Sequence, residues 1–429
     1  MHASYDVVVI GGGPAGMAAA LKARELGSSV AIVERNNQLG GILRQCIHAG
    51  FGLTYFKEEL TGPEYAQRFI NRLKDTDIVT YLGAMVLKLT PDHEVTLMCD
   101  RGMIVLSAKA VVLAMGCRER TRGEIKIPGA RCAGVFTAGL AQRYINIENL
   151  EPGRRFVILG SGDIGLIMAR RLALEGMEVG GVYELMPYPN GLHRNIKNCL
   201  EDFGIPLHLS TTVTRVIGED RVTAVEVSRV DENLRPIPGT ERMVPCDGLL
   251  LSVGLIPENE LSEAAGVEIN PRTHGAVVDE RLETSVPGIF SCGNVLHVHD
   301  LADNVTREAE VAGASAAAFA AGTLSQPTGS ISVTAEGLAG YVIPARIDTF
   351  DGATTEGGLR RPQKPVKLFF RVRRPVEQAH IEVLVDGEVA VRGRARPFKP
   401  SEMESFPVPG KAINAASKSV TLNVVEEAS

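Results

Sequence analysis

Short unbroken apolar runs separated by glycine recur along the chain. Val7-Val8-Val9-Ile10 leads into a glycine cluster, an Ala-rich stretch from Met17 to Leu26, and a second run, Ser29 to Val33, that ends at Glu34. Runs of this length and type predict strands buried in a parallel sheet, and the Ala-rich stretch predicts the helix crossing between them. The pattern returns at Phe156 to Leu159, with a helix over Leu166 to Leu174, Gly176 as its stop, and a strand from Glu178 to Tyr183 closed by Glu184. Further strands are predicted at Ile78 to Leu82, Ala110 to Ala114 and Gly248 to Val253, with a period-two pair at Val86 to Leu89 and Val95 to Met98. Helices are expected to open at Gly62-Pro63, to run from Thr137 to Ile147, and to start around Asn304 to Thr306 and continue through the Ala-rich stretch from Glu310 to Ala321. Late in the chain, Val366 to Val372, His380 to Val385 and Glu388 to Val391 alternate as strands, with Asp386-Gly387 as a hairpin turn and Val420 to Val425 closing the unit. The fold class is therefore α/β, with two Rossmann-like three-layer domains and a small C-terminal all-β domain.

Both strand-to-helix turns carry the same fingerprint, GGGPAG at Gly11 to Gly16 and GSGDIG at Gly160 to Gly165. The first glycine allows the tight turn, the second admits a pyrophosphate to the backbone, and the third lets helix pack on strand. Phosphates then rest on the helix N-terminus, where unpaired N–H groups and the helix dipole favour negative charge. Glu34 follows Gly11 by 23 residues and Glu184 follows Gly160 by 24, the separation expected of an acid that hydrogen-bonds a ribose diol. Two dinucleotides in one chain imply electron transfer between them.

The length of 429 residues accommodates two or three domains. A net charge of −6 disfavours nonspecific nucleic-acid binding. Residues 360 to 400 nevertheless carry a net charge of +7, enough to steer an acidic electron-transfer partner. The strands there lack a dense aromatic platform for bases, and no nucleic acid is expected. The N-terminus shows no signal peptide and no apolar run is long enough to span a membrane, so the expected location is the cytoplasm. Seven scattered cysteines, none in a CxxC, argue against a disulfide framework and against a metal site of local sequence; no metal is expected.

The fingerprints, the small-x-Gly turn Ala114-Met115-Gly116, the turn Val253-Gly254 to Pro257, and Gly293-Asn294 within PGIFSCGN resemble the flavoproteins with two dinucleotide-binding domains. That group contains thioredoxin reductase and the pyridine nucleotide disulfide reductases. The resemblance implies that the second domain is inserted in the first. The expected boundaries are 1–118 and 253–322 for an FAD domain, 119–252 for an NAD domain, 323–340 for a linker and 341–429 for the β domain. It assigns FAD to Gly11, Gly13, Pro14, Ala15, Gly16, Glu34, Arg35, Gly41, Ala114, Gly116, Gly293, Asn294, Asn304, Val305 and Thr306, and NAD to Gly160, Gly162, Asp163, Ile164, Gly165, Glu184 and Gly254. Asn294 stands where that family usually has Asp, which weakens one ribityl contact. Glu184 favours NAD, since a carboxylate there repels the 2′-phosphate of NADP. GGILRQCIHAGFG, EELTGPEYA, CRERTRG and GVFTAGLAQRYIN are similar to a narrower branch encoded beside a glycerol-3-phosphate dehydrogenase and a small Cys-rich protein. That branch implies an oligomeric subunit moving electrons between NAD(H) and a partner protein.

No cysteine pair is spaced for a redox disulfide, which excludes disulfide reduction through a centre of that kind. Cys46, with His48 two residues on, is the candidate lone redox thiol, weighed against a packed cysteine. It carries an alternative reading, a stand-alone NADH oxidase or peroxidase; a further alternative is a flavin-binding scaffold with little turnover. His297, followed by His299 and Asp300, is the candidate proton donor near the flavin, weighed against a structural histidine.

Overall fold

The computed structural model describes residues 2–349, 365–413 and 417–427. The chain divides into two compact units, one of Met1–Leu43, Ala49–Cys117 and Pro257–Ser429, the other of Arg44–His48 and Arg118–Ile256.

In the first unit the two leading apolar runs lie side by side in parallel, from Val7 opposite Val30 to Ile10 opposite Val33. All eight side chains are buried, as strands covered on both faces require. Gly102–Leu113 pairs along the other edge of His2–Ile10. Ile289–Ser291 returns from the far side of the second unit's sequence to pair with Val111 to Leu113. The first domain is thus completed by a late segment, as insertion of one domain in another demands. The order across the sheet is Val79–Tyr81, Val30–Val33, His2–Ile10, Gly102–Leu113, Glu94–Cys99 and Met85–Leu89, the last two antiparallel. Helices Pro14–Glu25 and Ala302–Ala320 cross closely because both are rich in small residues. A side chain at Gly313 would overlap the Ala19 carbonyl.

The same unit carries a β-sandwich. One sheet runs Arg346–Thr349, Gly329–Gly337, Ser419–Glu426, Val376–Val385, Glu388–Arg392; the other contains Ala339–Ile343, Val366–Val372 and Glu404–Val408. Asp386 and Gly387 both have positive φ, the backbone of a tight hairpin turn, between Val376–Val385 and Glu388–Arg392. The expected linker needs correction. Gly329–Gly337 is a strand paired on both sides, with Ile331 and Val333 in the core, so the β domain begins inside 323–340. Its polar outward residues match loop composition and hide the period of two.

The second unit has a parallel sheet ordered Val135–Thr137, Gly248–Leu251, Arg155–Leu159, Glu178–Tyr183, Leu207–His208. A three-stranded antiparallel sheet, Thr211–Gly218, Val222–Arg229 and Arg242–Pro245, covers part of its core. The segment Arg44–His48 belongs with this unit, an association local sequence does not signal.

Candidate functional site

In the first unit, Gly11 turns the chain at φ +110, and a side chain there would run into the Ala114 carbonyl. Gly13 begins the helix without a side-chain cap and Pro14 takes its first turn, so first-turn N–H groups have no intrahelical acceptor. Gly41 crosses this turn with its Cα 4.0 Å from a Cβ built on Gly13, while the Gly40 N–H donates to the Gly12 carbonyl at 2.8 Å. The Gly293 turn arrives from the other side, where a Cβ would lie 2.9 Å from the Ala15 methyl and 3.3 Å from Val305 Cγ1. Gly116, at φ +75, borders open space.

Glu34 is buried and accepts from the N–H of Gly12 and of Asn36, each at 2.7 Å. Three donors including the Asn36 amide hold the carboxylate in one pose, and its remaining lone pairs suit a ribose diol. Arg35 is exposed. An uncapped helix start, a turn that any side chain would obstruct, and a fixed acid together fit a dinucleotide.

The second unit repeats this. Gly160 turns at φ +92 against the Ser252 carbonyl, and Gly165 closes helix Asp163–Leu174 onto Ser252, whose Oγ accepts the Gly165 N–H at 3.0 Å. Glu184, also buried, accepts from the Ser161 N–H at 2.9 Å, Ser161 Oγ at 2.6 Å and the Met186 N–H at 2.8 Å. Asp163 in the helix's first turn accepts from the Leu192 N–H at 2.9 Å and Asn195 Nδ2 at 2.7 Å. The Asn190 N–H donates to Ser161 Oγ at 2.9 Å, so the segment 190–195 is pinned over the fingerprint. Ile164 is half-buried beside it, and Gly254 turns at φ +108 with only Arg120 Cδ near, at 3.5 Å.

At the returning segment of the first unit, Asn294 Oδ1 accepts the His299 N–H at 3.0 Å, and its amide N–H approaches Cys117 Sγ at 3.6 Å. Asn304 and Val305 direct their N–H groups to the Leu301 carbonyl, and the Thr306 hydroxyl is hydrogen-bonded to Tyr65 at 2.7 Å. Sequence reasoning missed Asp303, a buried carboxylate that accepts from the N–H groups of Gly52, Thr54 and Tyr55 at 3.0, 2.7 and 3.0 Å. The helix starts at Ala302, close to the expected Asn304 to Thr306, and its polar first turns carry Asp303 and Glu308 among residues that read as surface. His297 is buried and held below its ordinary range, by burial first and then by its neighbour His299, so its ring is neutral. In the second unit, Cys46 is half-buried with Sγ 3.8 Å from Gln142 Oε1. Burial of its thiol pushes it up to about 12, which disfavours the thiolate. His48 lies in the same short segment and is half-buried.

Residues 5–316 match the model of the pyridine nucleotide-disulphide oxidoreductase family. The chain belongs to that family. Members of the pyridine nucleotide-disulphide oxidoreductases use FAD and NAD(P)H, and the two fingerprint units supply a place for each. The chain is 29% identical to a subunit of opine oxidase from Agrobacterium tumefaciens over 68% of its own length and 61% of that protein. It is 27% identical to the hydrogen cyanide synthase subunit HcnB of Pseudomonas protegens over 68% of its length and 66% of that protein. It thus spans about two thirds or less of these relatives. In fold it is similar to T. acidophilum thioredoxin reductase, with a TM-score of 0.60 at 24% identity over 75% of this chain and 99% of that one. A NAD-dependent persulfide reductase from A. fulgidus gives 0.57 at 21% identity, over 90% of this chain and 68% of that one. No described helix is long and apolar enough to cross a membrane.

Proposed function

We propose that this pyridine nucleotide-disulphide oxidoreductase is an FAD-dependent NAD(H) oxidoreductase that passes electrons to or from a partner protein, of the glycerol-3-phosphate dehydrogenase type or a small Cys-rich protein. The observation that carries the reading is the paired geometry of Glu34 and Glu184, each fixed by its own fingerprint backbone and each with lone pairs left to accept from a ribose. Bound FAD and NAD(H) supply hydride transfer between nicotinamide C4 and flavin N5. The chain's own residues bind and orient: first-turn N–H groups after Gly13 and Gly162 hold phosphates, the acids hold riboses, and Gly293 with Asn294 borders the flavin chain. Glu184 selects NAD, because a 2′-phosphate would meet a buried carboxylate.

Export to a partner protein is supported by the cysteines. No two of the seven are spaced for a redox pair beside the flavin. The stand-alone reading built on Cys46 draws little support from a thiol that burial keeps protonated. Two of the relatives are named as enzyme subunits. Anaerobic titration of the purified protein tests the reading. NADH should bleach the flavin stoichiometrically and NADPH poorly, with slow turnover until the co-purified partner is restored. Equal reduction by both nucleotides overturns the NAD assignment, and fast turnover by the isolated chain overturns the partner.

A further inference from the structure

His297, His299 and Glu308 lie together with side chains at most 3% exposed. Glu308 Oε2 accepts from His297 Nε2 at 2.7 Å; Oε1 accepts from His299 Nε2 at 3.1 Å and from the Gly293 N–H at 2.7 Å. Both Nδ1 atoms are buried without a partner. We assign the hydrogens to Nε2, since each ring then leaves only a lone pair unsatisfied. Hydrogens on Nδ1 would strand two donors in a dry core. The same reasoning counts against a metal. These side chains offer ligand atoms within 4.8 Å of one another, but a cation on the Nε2 atoms would move the hydrogens to Nδ1, where ligating histidines need a further acceptor.

Burial opposes ionisation of Glu308, but the electrostatic attraction of His299 and His297, and then their hydrogen bonds, outweigh it and hold the carboxyl below its ordinary range. Three N–H donors, from Gly293, His297 and His299, thus stabilise a buried carboxylate at Glu308. Cys292 faces it from just after the preceding strand, and Tyr341, Lys367 and Arg371 face it from the β domain. Arg371 is itself paired with Asp300. The rings of Phe369 and Tyr341, 5.7 and 6.4 Å from that of His297, close the cluster against water.

We propose that Glu308 is a positioning residue that fixes the Gly293–Asn294 turn and sets a buried negative charge behind it, lowering the reduction potential of the flavin bordered by that turn. The inference rests on the flavin reading above. A nearby anion disfavours added electron density, and low dielectric strengthens its reach.

The test is the flavin midpoint potential of the full-length holoprotein, measured anaerobically against a reference dye. Glu308→Gln should shift the equilibrium toward reduced flavin at least tenfold, about 30 mV for a two-electron couple, with flavin still bound. His299→Gln keeps an N–H donor on the carboxylate and should leave the midpoint within threefold. A merely structural role moves both variants or neither, and either result overturns the proposal, as does one stoichiometric metal per chain in the purified protein. Should Glu308→Gln not fold, Lys367→Met serves: losing a facing cation should shift the midpoint the other way by about threefold, and no shift shows that this field does not reach the flavin. Protein that purifies without FAD refutes the functional reading, whereas bound flavin with an unmoved midpoint refutes only the role of Glu308.

Discussion

The two fingerprint turns share one solution for the acid and for the first glycine, and differ in the segments that close over the helix start. Glu34 and Glu184 are both buried, and each accepts from the N–H one residue after the first glycine and from the N–H two residues beyond itself. Around the first turn glycine backbone supplies much of the wall, with Gly41 and Gly293 each near the helix start, and the Leu39 side chain packs over Gly12. Around the second, polar side chains do more of this: Ser161 and Asp163 pin the segment 190–195, and Ser252 Oγ supports the helix. A cofactor enclosed by backbone is held by groups that cannot rotate away. One bordered by side-chain contacts meets groups that can exchange partners. We read the difference as a retained flavin against a nicotinamide nucleotide that comes and goes.

The strongest way to break the comparison is at the third glycine. A methyl at Gly16 would lie 1.7 Å from the Gly11 carbonyl oxygen, whereas one at Gly165 would lie 2.6 Å from Ser252 Cβ, a lesser overlap with an atom that only a backbone shift can move. Gly16→Ala should cost about 3 kcal/mol and yield flavin-free protein. Gly165→Ala should keep its flavin and lose NADH affinity. Absorbance per chain and denaturant midpoints distinguish the two, and equal flavin loss in both would erase the distinction.

The acids come next. Glu34→Ala should release FAD, while Glu184→Ala should raise the KM for NADH by roughly 10- to 100-fold, the range for a lost charged hydrogen bond of about 1.5–3 kcal/mol, and narrow its preference over NADPH. Stopped-flow reduction with each nucleotide measures this. An unchanged NADH-to-NADPH ratio would remove Glu184 from selection.

A smaller effect separates the units by pH. His297 is buried below its ordinary 6.5 and Glu308 below its ordinary 4.5. Both therefore take up protons on unfolding. Their stabilisation is present at neutral pH, declines as pH falls below about 6.5 through His297, and declines further below about 4.5 through Glu308. Amide exchange in 293–300 should accelerate at pH 5 relative to pH 7.5 after correction for intrinsic rates, with little change at 190–195. The smallest effect is expected at Cys46. With its thiol pushed up to about 12, Cys46→Ser should leave flavin reduction within twofold.

Most of the fold was legible because buried parallel strands, glycine turns and small-residue helices are written locally. Val7 to Ile10, Val30 to Val33, Glu178 to Tyr183 and Val366 to Val372 all occupy strands where expected. Gly329–Gly337 was not legible, because Ser and Thr on a strand's solvent face have the composition of a loop. The start of helix Ala302–Ala320 was legible to within two residues, but its polar first turns conceal the buried roles of Asp303 and Glu308 among surface-like residues.

The sequence by itself determined the two turns and their acids, since a positive φ and a close backbone approach admit little but glycine, and strand length fixes where the acid falls. Only the tertiary structure decided what surrounds them. Asp303 holds a loop some 250 residues earlier in the chain, and Glu308 joins Gly293 to two imidazoles. Such roles depend on which polar group burial leaves without water, and that is settled only when distant segments pack.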